Sequence, residues 1–244
     1  MEESAVRHDA MLQALNGATV VFDIDGTLVD TAPDLTNALN HVLMARGLAP
    51  VPGETVRSTA GLGARAMIEE GLRQTGASGD VDEMLADFLV HYEANIAVES
   101  RPFPGALAAL DQLASAGARL AVCTNKREHL TLRLLAELGL EDRFHGVAGR
   151  DTFPVAKPDP AHLTGAIVLA GGKPTKAVMV GDSEVDVRAA KGAGVPIVVV
   201  SFGYAPRQLH ELDPEGTIDH FADLVPCAAS LLRGIRPAAS SARP

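Results

Sequence analysis

Two aspartates, Asp23 and Asp25, stand one residue apart where the apolar run Thr19 to Phe22 gives way to a Gly26-Thr27 turn. In an extended chain residues i and i+2 point to the same side, so the two carboxylates start out facing one way. Like charges held that close repel and raise one another's pKa unless a cation lies between them. Hard oxygen donors at a strand end therefore ask for a metal, Mg²⁺ before others. The competing explanation is a loop with two solvated acids beside a glycine turn, and a motif this short does not exclude it.

Three further strand-like segments are followed by polar groups. Ala118 to Cys123 runs into Thr124-Asn125, the short run near Phe144 to Ala148 is followed by Lys157-Pro158-Asp159-Pro160, and Ala177 to Val180 runs into Gly181-Asp182-Ser183-Glu184-Val185-Asp186. Each has a plain structural explanation. Asn125 with Glu128, and Ser183 with Asp186, fit the spacing of a capping box, and Lys157 fits an exposed side chain before a helix start. Those explanations do not account for acid, hydroxyl, amide and ammonium converging on one edge of one sheet. The set suits phosphoryl transfer, with carboxylates for a nucleophile and a metal, and with a hydroxyl, an amide and an ammonium for phosphate oxygens.

The elements that must position these groups follow from hydrophobic periodicity. The first strand runs to Asp25, and Asp30-Thr31-Ala32-Pro33-Asp34 starts a helix with a capping side chain, a proline in the first turn and an acid near the positive helix end. Leu35 to Arg46 is helical and Gly47 ends it. From about 48 to 98 there is no β-branched run long enough for a core strand, and the spacing predicts helices near 63–74 and 81–97. In the second of these, Val81, Met84, Leu85, Phe88, Leu89 and Tyr92 make one apolar face, read as packing. Residues 32–100 are thus expected to be a helical cap inserted after the first strand, above its carboxyl end. Ser100 to Gly105, with two prolines, is the return linker.

Beyond it, helices at 106–116, 128–138, 160–169 and 184–191 alternate with strands at 118–123, 144–148, 177–180 and 196–200. A strand at 217–219 and a helix at 222–232 come last. Continuous apolar strands separated by helices mean an α/β fold, a doubly wound, Rossmann-like parallel sheet covered on both faces, with ligands at the carboxyl ends of the strands. The expected division is a core of 1–31 and 101–232, the cap 32–100, and a Pro-, Ala- and Ser-rich disordered tail 233–244.

Composition narrows the partners. A hydrophobic content of 47% with 21% charged residues fits an ordinary folded domain. A formal net charge of −10 argues against nucleic acid, which is bound by excess Lys and Arg. Any anionic ligand must then meet a local cluster of positive charge or a metal. The stretch Val195 to Val200 is too short to span a bilayer, and Met1 to Ala10 lacks the apolar segment of a secretory signal. Cys123 and Cys227 form neither a disulfide framework nor a zinc spacing, and Cys123 reads as a small buried apolar residue. His41, His91, His129, His145 and His162 show no metal-ligand spacing. The cytoplasm is the expected compartment.

The four signatures, in this order, resemble those of the haloacid dehalogenase-like hydrolases, from about residue 18 to 232. Thr124-Asn125-Lys126, Gly149 to Pro154, Lys157 to Pro160 and Ser201-Phe202-Gly203-Tyr204 are similar to the phosphoglycolate phosphatase branch, as is the place of the insert. The resemblance implies that Asp23 is the nucleophile forming an aspartyl-phosphate, and that Asp25 is the acid and base for the leaving oxygen and the attacking water. It implies Mg²⁺ on Asp23, the backbone carbonyl of Asp25 and Asp182. Phosphoryl oxygens are then held by Thr124 and Asn125, charge is neutralised by Lys157, and Asp186 orients Lys157 or a metal-bound water. An acid at position 25 favours phosphate over halide leaving groups, since halide needs no proton.

A small phosphorylated metabolite is the expected partner, 2-phosphoglycolate first. Arg65, beside a Gly-x-Gly turn, is the cap residue suited to a carboxylate, with a solvated helix-surface arginine as its plainer explanation. A phosphomutase or a phosphatase for another small ester is the runner-up. A phospho-receiver switch is the rival outside enzymes, although a receiver needs neither a leaving-group acid nor a lid.

Overall fold

The structure, a computed structural model, describes residues 10–204 and 210–235. The sequence expectations for residues 1–9 and for 236–244 of the tail lie outside the described residues. Among the described residues there are eight strands: β1 (Thr19–Phe22), β2 (Val29–Asp30), β3 (Arg101–Pro102), β4 (Arg119–Cys123), β5 (Gly146–Ala148), β6 (Ala177–Gly181), β7 (Ile197–Val200) and β8 (Gly216–Ile218). Six of them form one sheet in the order β5-β4-β1-β6-β7-β8, and every neighbouring pair is parallel. The fold is the expected α/β doubly wound sheet.

Strand alternation builds the core. Val20 and Phe22 of β1, with Leu120, Val122, Val178, Val180, Val198 and Val200, face one cluster. It is covered by α5 (Ala106–Ser115), α6 (Glu128–Glu137) and α9 (Leu224–Leu232). Val21, Ala121, Met179, Ile197 and Val199 face the opposite cluster under α7 (Pro160–Leu169) and α8 (Glu184–Ala193). Both faces of each central strand are therefore buried, which explains why these strands read as continuous apolar runs rather than alternating ones. Cys123 is fully buried, as its place in a strand predicts.

The chain leaves the sheet after β1 and returns through an antiparallel ribbon of β2 and β3, in which Val29 faces Pro102 and Asp30 faces Arg101. Between them lie α1 (Ala32–Met44), α2 (Gly53–Arg57), α3 (Ala64–Thr75) and α4 (Val81–Ala94). Gly76 closes α3 in the left-handed conformation, at φ 66°. Asp80 caps α4 by accepting from the amides of Asp82 and Glu83. Met84, Phe88 and Tyr92 are the buried stripe of α4.

Several features differ from the sequence expectation. The ribbon and α2 are too short to leave a periodic pattern. Helix α4 stops at Ala94 instead of 97, with Asn95 out of helical conformation. At the start of α1 the capping side chain is Asp30, whose Oδ1 accepts from the Ala32 amide at 3.3 Å, and Thr31 makes no cap bond. Finally, Asn125 does not cap α6, whose N-cap is Arg127.

Candidate active site

The expected residues meet at the carboxyl ends of β1, β4 and β6 and the loop before α7. Asp23, Asp182 and Asp186 each offer a carboxylate oxygen within 4.8 Å of the others, and all three are buried. Lys157, also buried, lies 3.0 Å from Asp23 Oδ1 and donates to Asp186 Oδ1 at 2.6 Å. Asp23 Oδ1 additionally accepts from the Ile24 amide at 2.7 Å. Among the described residues Asp23 Oδ2 has no hydrogen bond, so one oxygen is fixed and the other is left to react.

Local structure explains these positions. After Asp23 the chain folds back on itself, and the carbonyl of Ile24 accepts from the amides of Thr27, Leu28 and Val29. Gly26 makes that turn possible at φ +80°. A Cβ there would lie 2.4 Å from Asp182 Oδ2. The turn delivers Thr27 Oγ1 to Asp182 Oδ1 at 2.8 Å. The backbone amide of Tyr204 donates to Asp182 Oδ2 at 2.7 Å, and a Cβ on the adjacent Gly203 would lie 2.3 Å from Asp182 Cβ. Asp186 completes the capping box predicted for α8. Its Oδ2 accepts from the Ser183 amide at 3.0 Å and the Ser183 hydroxyl at 2.5 Å.

Electrostatics at this edge is unbalanced. Burial, with repulsion from Asp186 and Asp25, raises the Asp23 carboxyl to about 7 although Lys157 opposes it. Burial, with Asp186 and Asp23, raises Asp182 well above the usual range. Lys157 is disfavoured by burial but held charged by Asp186 and Asp23. Counted as ions, the buried carboxylates of Asp23, Asp25, Asp182 and Asp186 face the buried ammonium groups of Lys126 and Lys157. Two negative charges remain, and a divalent cation with a preference for oxygen would neutralise them. The donor set therefore fits a metal, with Asp23 and Asp182 the most available, since Asp186 is committed to Lys157 and the helix cap.

Thr124 Oγ1 accepts from the Lys126 amide at 3.2 Å, and among the described residues its own hydrogen has no acceptor. The Asn125 side chain is differently engaged. Its Nδ2 donates to the carbonyls of Gly61 and Lys157, both at 3.1 Å, and its Oδ1 is buried without a partner. Arg65 lines the neighbouring cavity but is exposed and paired with Asp82. That cavity, about 270 Å³, is lined by Asp25, Asn125 and Lys126 on the sheet side and by Leu35, Met67, Phe88 and Tyr92 from the helices of 32–100.

Several residues of this site were not singled out in the sequence. The Thr31 hydroxyl donates to Asp25 Oδ1 at 2.6 Å, and Lys126 Nζ lies 3.0 Å from the same atom. Lys126 also donates to Tyr92 Oη at 3.1 Å. Burial works against its charge, and Asp25 with Tyr92 holds the ammonium above its ordinary range. Tyr204 Oη accepts from the amides of Thr31 and Ala32 at 2.8 Å and donates to Asp30 at 2.7 Å. Together with Asp30 Oδ1, which accepts from the Ala32 amide at 3.3 Å, it caps α1. Thr31 carries no motif spacing, whereas Thr27 lies in the turn of the first signature and Lys126 and Tyr204 lie in Thr124-Asn125-Lys126 and Ser201-Phe202-Gly203-Tyr204, segments that resemble the family without assigning those side chains a role.

A phosphoglycolate phosphatase of Mesorhizobium japonicum is 48% identical over 218 residues, spanning 88% of this chain and 96% of its own. The crystal structure of a predicted phosphoglycolate phosphatase from Haemophilus somnus superposes with a TM-score of 0.80 at 28% identity, covering 87% of this chain and 97% of that one. A mutant of CbbY from Rhodobacter sphaeroides in complex with xylulose-(1,5)bisphosphate is similar at a TM-score of 0.71 and 26% identity, over 85% and 96% of the two chains. The model of the haloacid dehalogenase-like hydrolases matches residues 20–200, and the chain, a phosphomonoester hydrolase by fold and kinship, belongs to that family.

Proposed function

We propose that this enzyme is a Mg²⁺-dependent phosphatase that converts 2-phosphoglycolate to glycolate and phosphate through an aspartyl-phosphate on Asp23. The observation that carries the chemistry is the division of labour within Asp23, whose Oδ1 is fixed by Lys157 and the Ile24 amide while Oδ2 is free. The names of the relatives supply the substrate.

In the proposed reaction Asp23 Oδ2 attacks phosphorus, and the bond to the ester oxygen breaks as Asp25 gives that oxygen a proton. Asp25 then takes a proton from the water that attacks the phospho-aspartate, which restores both side chains and releases phosphate. Lys157 offsets the charge of Asp23 and of the transferring group. Thr124 donates its free hydroxyl hydrogen to a phosphoryl oxygen. Asn125 contributes its backbone N–H, since both of its side-chain hydrogens are committed. Mg²⁺ would be held by Asp23, Asp182 and the backbone carbonyl of Asp25, and its chemistry is to neutralise the phosphate oxygens as a Lewis acid. Asp186 holds Lys157 in place.

Residues 32–100 are proposed to act as a cap over this edge, excluding water and selecting small substrates. The core is then 1–31 with 101–232. Among the described residues no helix is long and apolar enough to cross a membrane. Both cysteines are free thiols, in keeping with a reducing cytoplasm.

Phosphate release from a panel of small esters, with and without Mg²⁺, tests the reading. The panel includes 2-phosphoglycolate, hexose phosphates, xylulose bisphosphate, nucleoside monophosphates and pyrophosphate. Selective, Mg²⁺-dependent release from 2-phosphoglycolate is expected. Turnover of a different ester keeps the chemistry and discards the substrate. No release from any, with a phospho-aspartate persisting for minutes, overturns the phosphatase in favour of a switch.

A further inference from the structure

The mechanism above gives no task to the ammonium of Lys126. Lys126 is buried, 9% exposed as a residue, yet it lines the cavity between the sheet edge and α4. Its three hydrogens are not all used. One faces Asp25 Oδ1 at 3.0 Å and one is donated to Tyr92 Oη at 3.1 Å, and among the described residues the third has no acceptor. The Tyr92 ring, with its centroid 4.6 Å from Nζ, covers the ammonium from the side of α4. The other cations lining the cavity, Arg65, Arg127 and Arg150, are exposed, and Arg65 is already paired with Asp82.

Geometry ties this ammonium to a particular substrate group. Asp25 must touch the ester oxygen to give it a proton. In a 2-phosphorylated two-carbon acid the carboxylate carbon is two bonds from that oxygen, about 2.4 Å away by ordinary bond lengths. A cation within hydrogen-bond distance of Asp25 is therefore within reach of the substrate's carboxylate whenever Asp25 is within reach of the ester. The arginines that line the cavity are exposed and hydrated, whereas a buried ammonium has already lost its water and binds an incoming anion strongly.

We propose that Lys126 is the receptor for the substrate carboxylate and the residue that sets specificity for short phosphorylated hydroxy acids, with Tyr92 aiming its ammonium. This rests on the phosphatase reading and deepens it. A carboxylate meets the vacant third hydrogen of Nζ, and the pairs to Asp25 and Tyr92 stay in place. An ester of the same length without the carboxylate leaves that hydrogen unmet in a dry site and is discriminated against.

The test compares 2-phosphoglycolate with ethyl phosphate, the same two-carbon frame lacking the carboxylate, in the Mg²⁺-loaded enzyme. Lys126→Met is expected to lower the ratio of kcat/KM for 2-phosphoglycolate to that for ethyl phosphate by about 100-fold, chiefly through KM for the acid. Lys126→Arg restores part of the ratio. Tyr92→Phe, which keeps the ring and removes the hydroxyl, lowers it by about fivefold and decides the matter if Lys126→Met does not fold. A ratio unchanged in the folded variants overturns the inference alone, because Lys126 then serves only to hold Asp25. Failure of the wild-type enzyme to act on 2-phosphoglycolate overturns the substrate reading and the inference with it.

Discussion

Asn125, at the end of β4, donates its side-chain amide to the backbone carbonyl of Gly61 at 3.1 Å, joining the sheet edge to the segment between β2 and β3. The second hydrogen of the same amide goes to the carbonyl of Lys157, also at 3.1 Å. Two carbonyls on one side fix the orientation of the amide, because a flipped Asn125 would set oxygen against oxygen. One side chain thus holds both the loop that carries Lys157 and the 3₁₀ turn at Ala60–Leu62.

Asn125→Ala removes both bonds. We expect a stability loss of about 1–3 kcal/mol for one buried and one half-buried carbonyl left unpaired. A fall in kcat/KM of roughly 10- to 100-fold should accompany it, as Lys157 loses its register. Chemical denaturation and phosphate release, run side by side, check both numbers. Unchanged turnover would show that Lys157 is positioned by its ion pairs alone.

Asp23→Asn keeps the shape of the side chain and removes the nucleophile. Turnover should fall by roughly 10⁴-fold or more while circular dichroism stays that of the wild type. Near wild-type phosphate release from this variant would sink the assignment of Asp23.

The pH dependence of stability follows from the same residue. Its carboxyl moves from 3.8 to about 7 on folding, chiefly because burial disfavours the charged form. An acid raised in the folded state gives its full stabilisation below the unfolded value and loses it as the pH climbs through the folded one. With metal chelated, the melting temperature of the wild type relative to Asp23→Asn should therefore drop between about pH 4 and pH 8. A shift of this size corresponds to a few kcal/mol, or several degrees for a chain of this length. Added Mg²⁺ should recover more stability at about pH 8 than at about pH 5. A difference that is flat with pH would contradict the sign.

Gly203→Ala places a methyl group 2.3 Å from Asp182 Cβ and 2.8 Å from the carbonyl of Gly26. Neither can yield without moving Asp182 or the turn after Asp25. We expect half-saturation by Mg²⁺ to shift upward at least tenfold, with about 1–3 kcal/mol of destabilisation. Titration of activity against Mg²⁺ reads the first quantity and thermal melting the second.

Tyr204→Phe deletes an oxygen that accepts from the amides of Thr31 and Ala32 and donates to Asp30. The first turn of α1 then keeps only the 3.3 Å bond from the Ala32 amide to Asp30, which should cost about 1–2 kcal/mol by urea denaturation. Because Arg57 lies over the same ring, 4.9 Å from its centroid, substitution by leucine should cost more than substitution by phenylalanine.

Much of this molecule is local in origin. The strands are legible because each is buried on both faces and must be apolar throughout, as Val20, Val21 and Phe22 are. The helices are legible from their stripes and ends, as with Asp80 before α4 and Gly76 after α3. Asp23, Asp25, Lys157, Asp182 and Asp186 are legible because each follows a strand whose end must fall on the same edge once the sheet is parallel. The capping box of Ser183 and Asp186 is present and at the same time holds Lys157, so the structural and the chemical explanations of Asp186 are both true.

What the sequence alone determined, then, is the sheet, its two apolar faces, and the set of charged groups delivered to its edge, since these depend on period and on chain direction. Tertiary structure alone decided which groups touch. A hydroxyl at Thr31 reads as a helix cap until Tyr204 and Asp30 take the cap and free it for Asp25. An amide at Asn125 reads as a helix cap or a phosphate ligand until two carbonyls from distant loops claim it. A lysine at 126 reads only as part of the Thr124-Asn125-Lys126 signature until Tyr92 closes over it. Hydrogen bonds between groups tens of residues apart leave no periodic trace, because a donor is indifferent to the sequence distance of its acceptor and answers only to its position in space.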